Sequence, residues 1–306
     1  MGVVYNLILI VFIILATGLI LVGIWYVVPA TNLQYNEFKS NVSYGLPETS
    51  NQFYQNMRYP DKKITYSLEP DCDSEKIRAI LEAMAILEEK TILNFVQSKN
   101  GQIIFTCSEL PPEPEKSAHF VAGEGGPTEV LNTSRYSLII AGKVSLYRSE
   151  KCDKPIVATH EILHALGFDH ESNKKSIMYP ITDCSQEITS EIINDINNLY
   201  SVNLLPDLSI ERLSGNTSKL YLNFDITVSN IGLKDIENST LIISSEGKTI
   251  KVFPINQLNM GQKKILSVTN ILFPRSVRTI SFEITTPENE PEITLENNHA
   301  NLEVKS

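Results

Sequence analysis

The segment His160–His170, HEILHALGFDH, constrains the fold more than any other part of this sequence. His160 and His164 are four residues apart, so on a helix their rings leave the same face one turn apart. Gly167 can adopt a left-handed conformation that ends such a helix and reverses the chain. The spacing therefore predicts a helix, a glycine turn, and a third imidazole, that of His170, directed at the same point.

Three imidazoles leave one position open on a four-coordinate ion, which is typical of catalytic zinc rather than structural zinc. Glu161 follows the first histidine and would lie beside the ion, where it can accept a proton from an activated water. HExxH alone arises by chance, but the longer motif includes three of the chain's five histidines. We predict one catalytic Zn²⁺ held by His160, His164 and His170, with Glu161 as the general base.

A second motif, SIMYP at residues 176–180, follows His170. HExxHxxGxxH followed by a methionine turn is the metzincin pattern, and residues 58–202 resemble the matrixin branch in particular. The resemblance implies a zinc endopeptidase acting on protein or peptide substrates, with an α+β catalytic domain built from a mixed sheet and three helices. It also implies that Met178 lies beneath the zinc ligands and that Tyr179 and Pro180 begin a wall of the S1′ pocket.

Other features of the matrixins are not carried over. The sequence has no cysteine-switch motif, and Cys72 lacks the residues that surround one. A second, structural zinc would need ligands beyond His119 and His299, the two histidines that remain. Calcium sites cannot be assigned from this sequence, so calcium stays an open question.

The chain has four cysteines and no CxxC pair, which favours disulfides over a cysteine-based zinc site. Cys152 and Cys184 bracket the predicted active-site helix and methionine turn, so a bond between them would brace the site. Cys72 and Cys107 would then form the other pair. This pairing is a hypothesis, because four cysteines allow three connectivities.

An uncharged apolar run covers residues 7–28. As a helix it would be roughly 33 Å long, enough to cross a bilayer. We interpret residues 1–30 as a transmembrane anchor, with a cleaved signal peptide as the main alternative and a buried helix as a lesser one. The expected location is the cell membrane, single-pass, with the catalytic domain outside the cytoplasm, or secretion if the segment is cleaved.

Two further observations bear on partners and compartment. N-x-Ser/Thr sequons and an even cysteine count both favour an oxidising, extracytoplasmic compartment; the sequons begin at Asn41, Asn132, Asn216 and Asn238. The net charge of −10 argues against a nucleic-acid partner.

We divide the rest of the chain into an irregular stalk (31–57), a protease domain (58–203) and a β-rich domain (204–306). In the protease domain the pattern predicts a strand over 63–68, a helix over about 74–95 and a strand over 103–107. One or two strands over 136–147, bent at Gly142, follow, and then helices over 155–166 and 190–200. We expect 136–141 to be a sheet edge that pairs with substrate, and 123–127 (GEGGP) to be a flexible loop.

The last domain has short alternating runs separated by Gly, Asn and Pro, which predict an all-β, Ig-like sandwich. DLSI at 207–210, VSNIG at 228–232 and ENN at 296–298 resemble the CARDB module of prokaryotic surface proteins. The resemblance implies a possible surface ligand, although a spacer is equally open. The alternative function for the chain is therefore that of a surface adhesion protein whose inactive metzincin domain serves as a scaffold. A third hypothesis is an aminopeptidase or another peptidase of narrow specificity.

Overall fold

The computed structural model describes residues 2–27, 36–39, 51–107, 110–112, 121–218, 221–272, 279–287 and 290–303. Its helices are α1 (Gly2–Val27), α2 (Ser74–Lys90), α3 (Ile156–Ala165) and α4 (Ser190–Tyr200). The predicted sequon at Asn41 and the remaining candidate ligand His119 lie outside the described residues.

Helix α1 lies on the apolar run, but the predicted transmembrane anchor is not supported. Over the part of the chain that the structure describes, no helix combines the length and apolar character needed to cross a bilayer.

A mixed sheet forms the centre of the region between residues 57 and 146. Its strands are β2 (Met57–Arg58), β3 (Lys63–Leu68), β4 (Asn94–Gln97), β5 (Ile103–Thr106), β6 (Gly123–Asn132) and β7 (Ser137–Leu146). The order is β2-β7-β5-β3-β4 with parallel pairings, and β6 joins the outside of β7 as an antiparallel strand. The predicted combination of a mixed sheet with three helices (α2, α3, α4) is therefore present.

Helix α2 forms because its sequence supplies both a cap and an apolar stripe. The Asp73 carboxylate accepts hydrogen bonds from the first-turn amides of Glu75 and Lys76. The stripe is buried against the sheet and includes Ile80. The helix ends at Lys90, where the Thr91 main chain and hydroxyl both donate to the Leu87 carbonyl. The predicted extension to residue 95 was wrong, because Asn94 begins β4, which pairs with β3.

Two predictions about the sheet edge were also wrong. The glycine-rich residues 123–127 are the first half of β6, not a flexible loop. Strand β7 is continuous through Gly142 and lies inside the sheet, with β5 on one side and β6 on the other. Among the described strands the edge on this side of the sheet is therefore β6.

The C-terminal region is a sandwich of two four-stranded antiparallel sheets. The strands are β1 (Asn36–Lys39), β8 (Leu208–Ser218), β9 (Tyr221–Asn230), β10 (Thr240–Ser245), β11 (Lys248–Pro254), β12 (Lys263–Leu272), β13 (Thr279–Thr285) and β14 (His299–Glu303). One sheet has the order β1-β8-β9-β12 and the other β11-β10-β13-β14. Alternate side chains from both sheets form one apolar core.

The predicted irregular stalk needs correcting. Strand β1 (Asn36–Lys39) pairs antiparallel with β8, so this segment belongs to the sandwich. Residues 51–57 instead contact the other region, where Gln52 forms a bridge with Phe168. Neither described part of the stalk is a spacer.

Candidate metal centre

Helix α3 carries the first two histidines and is buried on nearly every face. In its first turn the hydroxyl of Thr159 donates to the Pro155 carbonyl. His160 and His164 follow on one face, and their Nε2 atoms are 3.0 Å apart. The four-residue spacing therefore has the consequence expected of a helix.

Gly167 ends the helix with a φ of +97°. A β-carbon there would lie 2.5 Å from Cγ of Met57, so glycine is required both for the backbone angle and for the space. The turn directs the chain back, and the Nε2 atom of His170 lies 3.1 Å from that of His164 and 3.3 Å from that of His160. The three side chains expected to meet are brought together.

The donor set fits a metal ion. A carbonyl oxygen only accepts, so Nδ1–H of His160 donates to the Ile177 carbonyl and Nδ1–H of His164 donates to the Phe168 carbonyl. Their neutral Nε2 atoms then carry lone pairs that face each other and cannot hydrogen bond. Tetrahedral ligands at about 2.0–2.1 Å from zinc lie roughly 3.3 Å apart, close to the separations seen.

Electrostatics keep the imidazoles in the form that binds metal. Burial lowers the pKa of His160 to about 4, with a further contribution from the neighbouring His164. Burial likewise lowers the pKa of His164 to about 4. The pKa of His170 is also lowered by burial, against the opposing effect of Asp169. Neutral imidazoles present a free nitrogen lone pair at neutral pH.

Glu161 lies next to this group and is only 6% exposed. Burial raises the pKa of its carboxyl to about 8, the negative charge of Glu124 adds to the effect, and a hydrogen bond from the Gly125 main chain opposes it. A carboxyl group whose pKa is raised in this way is suited to taking up a proton near neutral pH.

The methionine turn lies against the histidines. Met178 is fully buried, and its carbonyl accepts a hydrogen bond from the amide of Glu171, next to His170. Tyr179 is half-buried and Pro180 is exposed. Their place in the wall of an S1′ pocket stays a prediction.

Both disulfides join the pairs favoured from the sequence. Cys152–Cys184 links the segment before α3 to the segment after the methionine turn. Cys72–Cys107 links the loop after β3 to the end of β5. In the described chain no cysteine is free.

Sequence reasoning missed two groups of residues at this site. The ring of Phe53 stacks on that of His164 with centroids 5.7 Å apart. The hydroxyl of Tyr147 donates a hydrogen bond of 2.7 Å to the carboxylate of Glu124. Glu124 lies on β6, the strand that approaches Glu161. Neither has a local sequence signal, because each depends on segments that are distant in the chain.

Comparison with known proteins agrees with this geometry. Residues 58–201 match the matrixin (peptidase M10) family. The low choriolytic enzyme of Oryzias latipes is 29% identical over 112 residues, which cover 37% of this chain and 34% of that protein. The chain thus spans about a third of that relative's length.

The C-terminal region has a structural neighbour of low similarity. It is the CARDB domain of a Pyrococcus furiosus protein, crystallised in complex with di-metal ions, with 20% identity and a TM-score of 0.27. The match covers 33% of this chain and 87% of that one. A similarity with so low a TM-score supports no conclusion about the present chain.

Proposed function

We propose that the matrixin-type metalloprotease region at residues 58–201 is a zinc-dependent endopeptidase, with His160, His164 and His170 as ligands and Glu161 as general base. One observation carries the proposal: the Nε2 atoms of His160, His164 and His170 lie 3.0–3.3 Å apart beside a buried carboxyl group. Nδ1 of His160 and of His164 donates to a carbonyl, so without a shared cation the facing Nε2 lone pairs of these two rings would repel one another. The family match supports the same chemistry.

The chain's own groups supply the proton transfers. Zinc, when bound, supplies a Lewis acid that activates water and polarises the scissile carbonyl. Glu161 would take the proton of the attacking water and pass it to the leaving amine nitrogen. Gly125 would hold the Glu161 carboxyl in place through its main-chain hydrogen bond. The carbonyls of Ile177 and Phe168 would fix the rings of His160 and His164.

Strand β6 is the best candidate for binding the substrate backbone. It pairs with β7 along one edge, and no described strand pairs with its other edge. Its first residues lie against Glu161, since a β-carbon on Gly123 would be 2.7 Å from Cγ of that side chain. An extended peptide added to this edge would be held mainly by main-chain hydrogen bonds, which favours broad specificity.

We also propose that this region works outside the cytoplasm. All four cysteines are paired, and disulfides persist in oxidising compartments. Attachment to a membrane through residues 1–30 remains a prediction from the sequence. Carbonate extraction of cell membranes would test it: a protein released by carbonate has no such anchor.

The first experiment measures cleavage of casein, an unstructured substrate, by the full chain with and without a zinc chelator. Glu161→Gln keeps the size of the side chain and removes the base, so we expect it to retain zinc and to lower kcat by about 10²–10⁴-fold. Glu82→Gln changes an exposed glutamate on α2 and serves as the matched control. Mass spectrometry of the products distinguishes internal cleavage from trimming of the ends.

Each outcome has a definite meaning. Internal fragments that disappear with chelator and with Glu161→Gln support the proposal. Bound zinc without cleavage of casein or of a peptide library would favour the surface-binding alternative. Failure to bind stoichiometric zinc would contradict the assignment of the three histidines as zinc ligands, and with it the proposed function.

A further inference from the structure

The turn between β6 and β7 is embedded in the C-terminal sandwich. We call residues 131–138, the end of β6 and the start of β7, the hairpin tip. Tyr136 and Leu138 of the tip are buried in one apolar cluster with Leu233 of the sandwich. Partly buried neighbours complete the cluster: Leu131, Ile140, Val202, Met260 and Ile293. The tip is therefore part of a core that both regions share.

A buried ion pair fixes the orientation of this contact. Nη1 of Arg135 lies 2.7 Å from Oδ2 of Asp207, whose side chain is fully buried, while the Arg135 side chain is 17% exposed. The second oxygen of Asp207 accepts a hydrogen bond from Asn297. A buried pair of this kind tolerates little displacement, because separating the partners leaves a buried charge uncompensated.

A glycine of the sandwich touches β6 itself. Gly261 has a φ of +72°, and a β-carbon there would lie 2.5 Å from Cδ2 of Leu131. Its amide also donates to the Asn230 carbonyl, so the glycine is fixed within the sandwich. The sandwich therefore holds the far end of β6 in direct van der Waals contact.

The two ends of β6 have different neighbours. Gly123 and Gly125 at its start lie against Glu161, whereas Leu131 near its end lies against Gly261. One strand joins them over roughly 20 Å, with two shifts in its register against β7 between Pro127 and Val130. The hairpin tip and the candidate catalytic group are therefore joined by a single strand.

We propose that the C-terminal sandwich positions β6 and is a structural part of the substrate cleft, not a tethered module. Arg135, Asp207 and Gly261 act as positioning residues, since none of them touches the metal centre. The proposal rests on the endopeptidase function and on β6 as its substrate edge. A spacer or an independent adhesion module would need no buried ion pair with this hairpin.

The test compares two glycines of the sandwich in the full chain. Gly261 and Gly247 have φ angles of +72° and +75°, so alanine imposes the same backbone strain at both. At Gly261 the new methyl group meets Leu131, whereas at Gly247 it meets nothing within 4 Å. Gly261→Ala should raise KM for an extended peptide roughly tenfold. Gly247→Ala should leave KM and kcat unchanged.

A second variant isolates the contact. Leu131→Ala added to Gly261→Ala removes the clash and should restore part of the lost affinity, while zinc content stays the same in all variants. Equal KM values for Gly261→Ala and Gly247→Ala would overturn the proposal.

Hydrogen exchange separates this proposal from the proposed function. Gly261→Ala should lower the protection of the β6 amides, and Gly247→Ala should not, whether or not the protein cleaves peptides. Unchanged protection of β6 in Gly261→Ala would overturn the docking even in an active enzyme. An inactive wild-type protein in which Gly261→Ala alone loosens β6 would instead contradict the endopeptidase and retain the docking.

Discussion

Gly125 and Glu161 approach so closely that a β-carbon on the glycine would lie 2.0 Å from the carbonyl oxygen of the glutamate. The contact is between two main chains, so no side-chain rotation could relieve it. Strand β6 thus lies directly on α3 at the position of the candidate base. The glycine also hydrogen bonds the Glu161 carboxyl through its main chain.

Replacing this glycine should separate the strand from the helix. We expect Gly125→Ala to lower kcat/KM by about 10²-fold, because a displacement of about 1 Å near reacting groups has effects of that size. Gly126→Ala is the control, since a β-carbon there meets nothing within 4 Å. Zinc content should match that of the wild type in both. Equal activity of the two variants would show that the approach of β6 to α3 has no role in catalysis.

Phe53 should contribute to metal affinity because its ring stacks on that of His164. We expect Phe53→Ala to weaken zinc binding by about tenfold, as the loss of a group supporting a ligand commonly does. Tyr54→Ala removes the adjacent, more exposed aromatic ring and is the control. Competition against a chromophoric chelator measures both affinities, and a zinc affinity unchanged by Phe53→Ala would contradict the supporting role.

The two disulfides should differ in what they protect. Their sequence separations, 32 and 35 residues, are nearly equal, so loss of either should lower the free energy of unfolding by about 3–4 kcal/mol. Only Cys152–Cys184 links the segment before α3 to the segment after the methionine turn. The Cys152→Ser/Cys184→Ser variant should therefore also bind zinc more weakly, whereas Cys72→Ser/Cys107→Ser should not. Thermal unfolding and chelator competition on the same samples distinguish these effects.

Glu292 gives a pH dependence of stability with a definite sign. Burial raises the pKa of its carboxyl to about 7, against the opposing hydrogen bonds from Leu208 and Asn298. The folded state therefore binds the proton more tightly than the unfolded state, so this group's stabilisation is present below pH 4.5 and is lost as the pH rises to about 7.

Glu292→Gln removes that titration. The difference in Tm between the variant and the wild type should shift in favour of the variant by roughly 2–4 °C as the pH rises from 5 to 8. Glu296→Gln, at an exposed position nearby, should show no such trend. A Tm difference between Glu292→Gln and the wild type that stays constant from pH 5 to pH 8 would contradict the raised pKa.

The sequence was most informative where local chemistry determines structure. The spacing of His160, His164 and His170 predicted their convergence, and the apolar pattern predicted that α2 begins at residue 74. The strands of the sandwich followed their alternating patterns closely. In these segments the local pattern and the tertiary contacts favour the same conformation.

Prediction failed where tertiary contacts override local preference. GEGGP has the composition of a turn, yet it is a strand because glycine lets β6 lie against the main chain of α3. The pairing of β1 with β8 joins residues that are far apart in sequence, so no local pattern predicts it. The stacking of Phe53 on His164 was missed for the same reason.

The hairpin tip also bears on how such a protein can be recombined. A cut between residues 203 and 204 divides the two folds in sequence, but it leaves Arg135 and Tyr136 without the surface that buries them. A chimera that exchanges the sandwich for a foreign one would have to bring a matching hairpin with it. The exchangeable unit is therefore discontinuous in sequence. Residues 131–138 have to be exchanged together with the C-terminal sandwich, although they lie within the protease region of the sequence.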